Sequence, residues 1–143
     1  MGKYTLTIIK PDAFGKGYID PILQRISFEG FRTIGMKMTH LTSDIAGQFY
    51  DIHKDKPFYN DLIKFMTSGP ICVCALQKDN AVNDFRTLIG ETDPNECAAG
   101  TIRSMYGESV SSNAIHGSDS DENALKEISF FFPELIDKTK RIQ

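Results

Sequence analysis

The chain has 143 residues, 41% of them hydrophobic, and carries a formal net charge of −3. This length and composition predict one globular domain over residues 1–143. The acidic balance argues against a general nucleic-acid binder, which needs a basic face. No apolar run approaches the roughly 20 residues of a membrane span, so we expect neither a membrane nor a specific nucleic acid as partner.

The three cysteines predict a reducing, cytoplasmic setting. Cys72 and Cys74 are two residues apart in an apolar run, so they share one face of a strand and are typical of small core residues. Cys97 stands alone in a polar stretch. We therefore expect no structural disulfide. The first residues form a short apolar strand followed by Lys-Pro-Asp, which does not resemble a secretory leader.

Hydrophobic periodicity predicts the element order β-α-β-(αα)-β-α-loop-β-α. Strands are predicted at residues 4–9, 31–41, 70–76 and 113–116. Helices are predicted at residues 18–28, 43–52 (capped by Ser43 or Asp44), 58–66, 80–88 and 119–131. Along residues 31–41 the alternation places Phe31, Thr33, Gly35 and Lys37 on one side. This order predicts a small α/β sandwich with helices covering one sheet.

Residues 91–112 break the pattern and form a long loop rich in Gly, Ser, Asp and Asn. A loop of about twenty residues in a small domain is usually functional or disordered. One short helix is predicted inside it, at residues 101–106. The loop also contains Thr92 and Arg103, two side chains able to bind an anion.

His116 lies between an apolar strand end and an acidic helix start. Ser118 and Asp121 form a capping pattern that accounts for the acids there. Glu127 lies on or beside the apolar stripe of that helix, and a buried carboxylate needs a hydrogen-bond partner. His116 is the nearest candidate. The pair is either a core histidine satisfied by an acid, or a nucleophilic or general-base imidazole with one nitrogen fixed and the other free.

Several cationic side chains could together hold a polyphosphate. Lys10 ends the first strand, Arg86 lies on a helix, and Arg103 follows Gly-Thr-Ile in the long loop. Guanidinium forks, an ammonium group and the Thr92 hydroxyl are suitable ligands for phosphate oxygens. The chain has neither of the common glycine-rich nucleotide loops, so a nucleotide site would have to be built differently. We assign His40 and His53 to structural or surface positions.

Six short blocks in order along the chain resemble the nucleoside diphosphate kinase family. They are KPDA at 10–13, KPFY at 56–59, SGP at 68–70, LIGETDP at 88–94, GTIR at 100–103 and NAIHGSDS at 113–120. The resemblance extends from about residue 4 to residue 133. It departs from the family pattern at Ala99, where proline is common, and at residues 130–132, where three phenylalanines replace Leu-Trp-Phe. Both departures concern segments that can take part in subunit contacts.

The resemblance implies a ferredoxin-like antiparallel four-stranded sheet with helices on it, an added helical hairpin and a long loop. It implies a ping-pong kinase in which His116 takes the γ-phosphate of a nucleoside triphosphate, mainly ATP, and passes it to a nucleoside diphosphate of any base or sugar. Glu127 and Ser118 would orient the histidine ring, and Tyr50 would be hydrogen-bonded near it.

The same resemblance assigns the nucleotide contacts. Lys10 and Asn113 would contact the transferring phosphate and the sugar, Phe58 and Leu62 the base, and Arg86, Thr92 and Arg103 the phosphates. Mg²⁺ would be held mainly through the nucleotide phosphates, without a direct protein ligand. The protein would be a homo-oligomer, with a hexamer favoured over a tetramer.

Two other functions share some of these features. A protein histidine kinase or phosphotransfer carrier would use the same phosphohistidine with a protein acceptor. An inactive binding module would be expected to have lost His116, Lys10 or Arg103, and all three are present.

Overall fold

An antiparallel sheet of four strands organises the chain, and the computed structural model describes residues 2–136. The strands are β1 (Tyr4–Ile9), β2 (Arg32–Thr39), β3 (Ile71–Gln77) and β4 (Ile115–Gly117), in the spatial order β2-β3-β1-β4. The helices are α1 (Pro11–Gly15), α2 (Ile19–Phe28), α3 (Ser43–Phe49), α4 (Tyr59–Met66), α5 (Ala81–Ile89), α6 (Ile102–Tyr106) and α7 (Asp121–Phe131). Single 3₁₀ turns occupy Asp51–His53 and Pro94–Glu96. The described part of the predicted 1–143 domain thus has the expected element order; residues 1 and 137–143 lie outside it.

The two faces of the sheet build two apolar clusters, because successive side chains of a strand point in opposite directions. On one face Ile9, Cys72 and Cys74 pack with buried residues of α2 and α5. On the other, Leu6 and Val73 pack with α3, α4 and α7. Both central strands are therefore buried on both faces, which accounts for their nearly continuous apolar sequences.

The predicted strand and helix boundaries lie within three residues of the observed ones, and four other features differ for a physical reason. Helix α1 was not predicted, since Pro11 was interpreted only as the end of β1, whereas proline also suits the first turn of a helix. Strand β4 begins at Ile115 rather than at residue 113, because Ala114 has a left-handed φ of 75°. A bulge between Thr33 and Gly35 breaks the alternation predicted for β2.

The fourth difference concerns the helix caps. The cap of α3 is Thr42, whose Oγ1 accepts from the amide of Ile45, rather than Ser43 or Asp44. The cap of α7 is Ser120, whose Oγ accepts from the amide of Asn123, and the predicted cap Ser118 is engaged elsewhere. In both cases a hydroxyl one or two residues away reaches the orphan amides of the first turn.

Among residues 2–136 no helix is both long and apolar enough to cross a membrane.

Candidate active site

Strand pairing brings the end of β1 next to the start of β4. Ile8 lies opposite His116, and the backbone amide of Lys10 donates to the carbonyl of Ala114 at 2.8 Å. Because the strands are antiparallel, Lys10 at the carboxyl end of β1 is placed beside the turn that leads into His116. Two groups more than 100 residues apart in the chain therefore share one edge of the sheet.

His116 is held through one of its ring nitrogens. Its Nε2 lies 2.9 Å from Glu127 Oε1, and Ser118 Oγ donates to the same oxygen at 2.7 Å. Since Glu127 accepts, the proton of a neutral imidazole lies on Nε2, and Nδ1 keeps its lone pair. Ser118 is fully buried and also accepts from the amide of Leu6 at 3.1 Å, so β1 fixes its position. The result is an oriented imidazole with one free nitrogen.

Aromatic rings surround the histidine. The rings of Phe49 and His116 lie edge to face, with 5.9 Å between centroids, and Phe49 also packs on Phe131 of α7. Tyr50 is buried, and its hydroxyl has no hydrogen-bond partner among residues 2–136. Burial and the nearby Glu127 carboxylate raise the pKa of Tyr50, so it stays a neutral phenol. The hydrogen bond expected for Tyr50 near the histidine is thus not formed within the described chain.

A second network joins Lys10 to the long loop. Lys10 Nζ donates to Asn113 Oδ1 at 2.9 Å, and Asn113 Nδ2 donates to the carbonyl of Thr92 at 3.0 Å. Asn113 is almost completely buried, so it acts as a fixed bridge between β1 and the loop. Desolvation and the positive charge of Arg103 lower the pKa of Lys10 to about 8, against the opposing effect of Asp12.

Arg103 continues this network toward β4. Its two terminal nitrogens donate to the carbonyls of Gly90, at 3.0 Å, and Ile115, at 2.8 Å. Burial is the main cause that lowers the Arg103 pKa to about 10, and the positive charge of Arg86 acts in the same direction. The guanidinium of Arg103 is partly buried and that of Arg86 is exposed, and both can donate to a bound anion. An open cleft of about 470 Å³ lies here, lined among others by Arg86, Thr92 and Arg103.

The predicted apolar wall lies on the side of α3 and α4. Phe58 precedes α4, is 49% exposed and packs on the ring of His53 at 5.5 Å. His53 in turn stacks on Tyr50. Leu62, one turn into α4, is half-buried against the cluster beneath. An exposed ring supported from behind by other rings is a suitable platform for a planar group.

Known proteins resemble this chain over most of its length. The family model for nucleoside diphosphate kinase matches residues 3–136. The chain belongs to the nucleoside diphosphate kinase family. It is 53% identical over 128 residues to the nucleoside diphosphate kinase of Chlorobaculum parvum, covering 90% of this chain and 91% of that protein. The corresponding protein of Chlorobium luteolum is 52% identical with the same coverage.

Solved structures of the family have the same fold. The Aquifex aeolicus nucleoside diphosphate kinase is 42% identical with a TM-score of 0.91, covering 93% of this chain and 96% of that one. The Halobacterium salinarum enzyme, solved in complex with CDP, is 35% identical with a TM-score of 0.87, covering 92% and 88%. The predicted ferredoxin-like sheet is therefore confirmed.

Membership of the nucleoside diphosphate kinase family makes this protein an enzyme. It transfers a phosphoryl group from a nucleoside triphosphate to a nucleoside diphosphate through a phosphohistidine, and the family requires a divalent cation. Within residues 2–136, no three His, Cys, Asp or Glu side chains converge as a metal site.

The predicted site residues form two contact networks and a separate wall. His116, Glu127 and Ser118 are joined by hydrogen bonds, and Lys10, Asn113 and Thr92 by a second set. Arg103 connects the loop to β4, Arg86 lines the same cleft, and Phe58 is linked to Tyr50 through His53. The sequence analysis gave no role to Phe49 or Asp12. Asp12 lies inside the KPDA block, so its position was visible although its contact was not.

Proposed function

We propose that His116 is the phosphoryl carrier of this kinase and that its Nδ1 is the attacking atom. The observation that carries the proposal is the pairing of Nε2 with Glu127, which leaves Nδ1 as the free nitrogen. In the first half-reaction a bond forms between Nδ1 and the γ-phosphorus, the bond to the bridging oxygen breaks, and the diphosphate leaves. In the second half-reaction a terminal oxygen of a different nucleoside diphosphate bonds to the phosphorus, the Nδ1–phosphorus bond breaks, and Nδ1 regains its lone pair. The proton on Nε2 stays hydrogen-bonded to Glu127 throughout.

The cations of the cleft would bind the polyphosphate. Arg86, Arg103 and the Thr92 hydroxyl line one region, and anion binding would offset the mutual repulsion of the two guanidiniums. Lys10 and Asn113, already hydrogen-bonded to each other, would contact the transferring phosphate and the sugar. The cation would be Mg²⁺, held mainly through the nucleotide phosphates, and it would supply positive charge that stabilises the phosphates during transfer.

The base would lie on Phe58 with Leu62 beside it. Ring stacking tolerates every base because each offers a π-face, so we propose broad acceptor use with ATP as the main donor. The side chains of Phe58 and Leu62 are apolar and offer no polar group of the kind that rejects one base strongly. We also propose a cytoplasmic location, since all three cysteines are free.

The enzyme would act as a homo-oligomer, and we favour a hexamer over a tetramer. Strand β2 is an edge of the described sheet, and its Met36 and Met38 side chains are about half exposed. An unpaired edge with exposed apolar side chains can extend the sheet by pairing with a second copy. Sedimentation equilibrium would give the assembled mass, and replacing both methionines by glutamate should reduce it.

The deciding experiment follows the phosphoryl group. Incubation with γ-labelled ATP and Mg²⁺ should give an acid-labile, base-stable label that His116→Ala abolishes and unlabelled GDP removes. His40→Gln is the matched control, because His40 bonds only the carbonyl of Thr67 beyond the opposite sheet edge and should keep the label. Absence of label on the wild-type protein would refute the proposal. A label that nucleotides do not remove would redirect the search to a protein acceptor.

A further inference from the structure

Ala114, two residues before His116, has an unusual backbone conformation. Its φ of 75° lies in the left-handed region, which a residue with a Cβ rarely adopts. Ala114 is also completely buried, so solvent cannot satisfy its polar backbone groups. Something in the surrounding structure must hold this turn, because it sets the direction of both Asn113 and β4.

The segment after β1 supplies both of the holding contacts. Asp12 Oδ2 accepts from the amide of Ala114 at 3.0 Å, and the amide of Lys10 donates to the Ala114 carbonyl at 2.8 Å. The Asp12 contact is the only one of the two made by a side chain, and it is charge-assisted. Asp12 lies in the first turn of α1, so the helix fixes the carboxylate.

Asp12 also acts on Lys10 through its charge. Its second oxygen, Oδ1, is buried and has no hydrogen-bond partner within residues 2–136, so its charge is little screened. The charged groups that act on Lys10 are Asp12 from α1 and Arg103 from α6, and they have opposite effects. The positive charge of Arg103 lowers the Lys10 pKa and Asp12 raises it. Removing Asp12 would leave only the unfavourable neighbour.

We propose that Asp12 is a positioning residue of the phosphoryl-transfer site, which holds the strained turn before His116 and supplies a buried carboxylate charge two residues from Lys10. It touches neither reactant and acts through Ala114 and Lys10. The proposal rests on the proposed roles of His116, Lys10 and Asn113. It assigns a function to the third residue of the KPDA block, which sequence analysis left without one.

Two substitutions separate the two actions. Asp12→Asn keeps an oxygen that can accept from the Ala114 amide but removes the charge, and Asp12→Ala removes both. For Asp12→Asn we expect kcat/KM and ADP affinity to begin their alkaline decline at a lower pH than in the wild type, with most activity kept at pH 7. For Asp12→Ala we expect the same displacement and, in addition, a kcat at pH 7 lower by about 10- to 100-fold, the size of loss typical when a supporting residue behind a metal ligand is replaced.

Asp20→Asn is the matched control, since it removes one carboxylate charge from the exposed surface of α2. It should leave both pH profiles in place. A purely structural role for Asp12 would lower thermal stability without moving the profiles, so superimposable profiles of Asp12→Asn and wild type would overturn the electrostatic action. Equal kcat values for the folded Asn and Ala variants would overturn the action on the turn. If the Ala variant does not fold, Asp12→Ser, whose side chain is one carbon shorter than that of aspartate, takes its place in the comparison of kcat with Asp12→Asn.

ADP binding keeps this test independent of the carrier assignment. Calorimetric titration of the wild-type enzyme and Asp12→Asn with ADP across pH 6 to 10 requires no phosphohistidine. If His116→Ala still took up the label, the carrier assignment would be refuted, but the effect of Asp12→Asn on ADP binding could still be interpreted. Conversely, an unchanged ADP profile in an enzyme that labels normally would refute only the role of Asp12 on Lys10.

Discussion

Glu127 Oε1 lies 2.9 Å from His116 Nε2, and the two residues come from different elements, α7 and β4. Both side chains are about four-fifths shielded from solvent, so the hydrogen bond has little competition from water. The second contact of the same oxygen, from Ser118 Oγ at 2.7 Å, keeps the carboxylate from rotating away. The direction of the imidazole is thus set by a chain of three side chains that ends on the backbone of β1.

Replacing Glu127 by glutamine should slow the chemical step more than nucleotide binding. The amide is close in shape but carries no charge to stabilise the Nε2–H group, and kcat should fall by about 10- to 100-fold, the size of loss typical when the hydrogen-bond partner of a metal-bound histidine is replaced. Rapid-quench measurement of the labelling rate would test this. Glu122→Gln, on the exposed face of α7, should label at the wild-type rate. An unchanged rate in Glu127→Gln would show that the negative charge of Glu127 is not needed to orient the ring.

Lys10 should reduce the stability of the free enzyme in a pH-dependent manner. Its folded pKa of about 8 is lower than the ordinary value of 10.5 because burial and Arg103 disfavour the charge. Below pH 8 Lys10 is charged in the folded protein, and burial of this charge lowers the free energy of unfolding. Between pH 8 and 10.5 Lys10 remains protonated only in the unfolded chain, so the free energy of unfolding rises with pH. Lys10→Met has no such dependence, and its stability gain over wild type should be largest at pH 7 and shrink by pH 10.

Urea denaturation at the two pH values measures this difference. Lys126→Met, which removes an exposed lysine from α7, is the control and should show no comparable change with pH. Lys10→Met should also lose ADP affinity despite the higher stability. A stability difference that stays constant from pH 7 to 10 would contradict the assignment of a lowered pKa to Lys10.

Gly90 should resist substitution more than Gly100, although both have a left-handed φ, of 90° and 88° respectively. Alanine at either position is strained by about 1–3 kcal/mol. At Gly90 a Cβ would also come within 2.7 Å of Thr101 Oγ1 and 2.8 Å of Cys97 Sγ, whereas at Gly100 it would meet open space. The Gly90 carbonyl holds Arg103. We therefore expect Gly90→Ala, but not Gly100→Ala, to weaken ADP binding measured by calorimetry. Equal affinities for the two variants would contradict this.

Replacing Tyr50 by phenylalanine should separate stability from activity. The Tyr50 hydroxyl is buried without a partner in the described residues, so its removal should leave the free energy of unfolding unchanged or raise it by about 1 kcal/mol. We expect kcat to fall, because an unpaired hydroxyl close to Glu127 is available to the reacting groups. Tyr59→Phe is the control, since that hydroxyl makes only a long contact of 3.4 Å to the carbonyl of Gly47. An unchanged kcat in Tyr50→Phe would remove Tyr50 from the site.

Strand β1 and helix α7 illustrate what the sequence can predict. A β-rich run ended by proline predicts β1 to the residue, and the apolar stripe of α7 places Glu127 beside the buried face and near His116. The tertiary contacts of Asn113 are different in kind. Its bonds to Lys10 and Thr92 depend on the pairing of β1 with β4, which leaves no local signal. The left-handed Ala114 was also invisible, because alanine ordinarily predicts the opposite conformation.

The family resemblance assigned residues to the nucleotide contacts but assigned no role to the residues that support them. It assigned roles to Phe58, Arg86 and Tyr50 from their places in the family motifs, because hydrophobic periodicity alone does not single out these residues. Side chains that act through a neighbour, such as Asp12 and Phe49, gave no chemical pattern of their own. Asp12 accepts from the amide of Ala114, and Phe49 packs on the ring of His116. Both contacts depend on the tertiary structure and leave no pattern in the sequence.

The long loop has no strand of the sheet, yet polar contacts tie it to the reactive edge. Asn113 bonds to Thr92 at one end of the loop, and Arg103 joins Gly90 to Ile115. A local opening of this segment would break the same bonds that hold the phosphate-binding groups together. Opening of the loop in the native state would then also abolish activity, and its free energy would be well below that of global unfolding. A bound nucleotide would add contacts between the same segments and stabilise the closed loop. The exchange of amide hydrogens across the loop would therefore be slower.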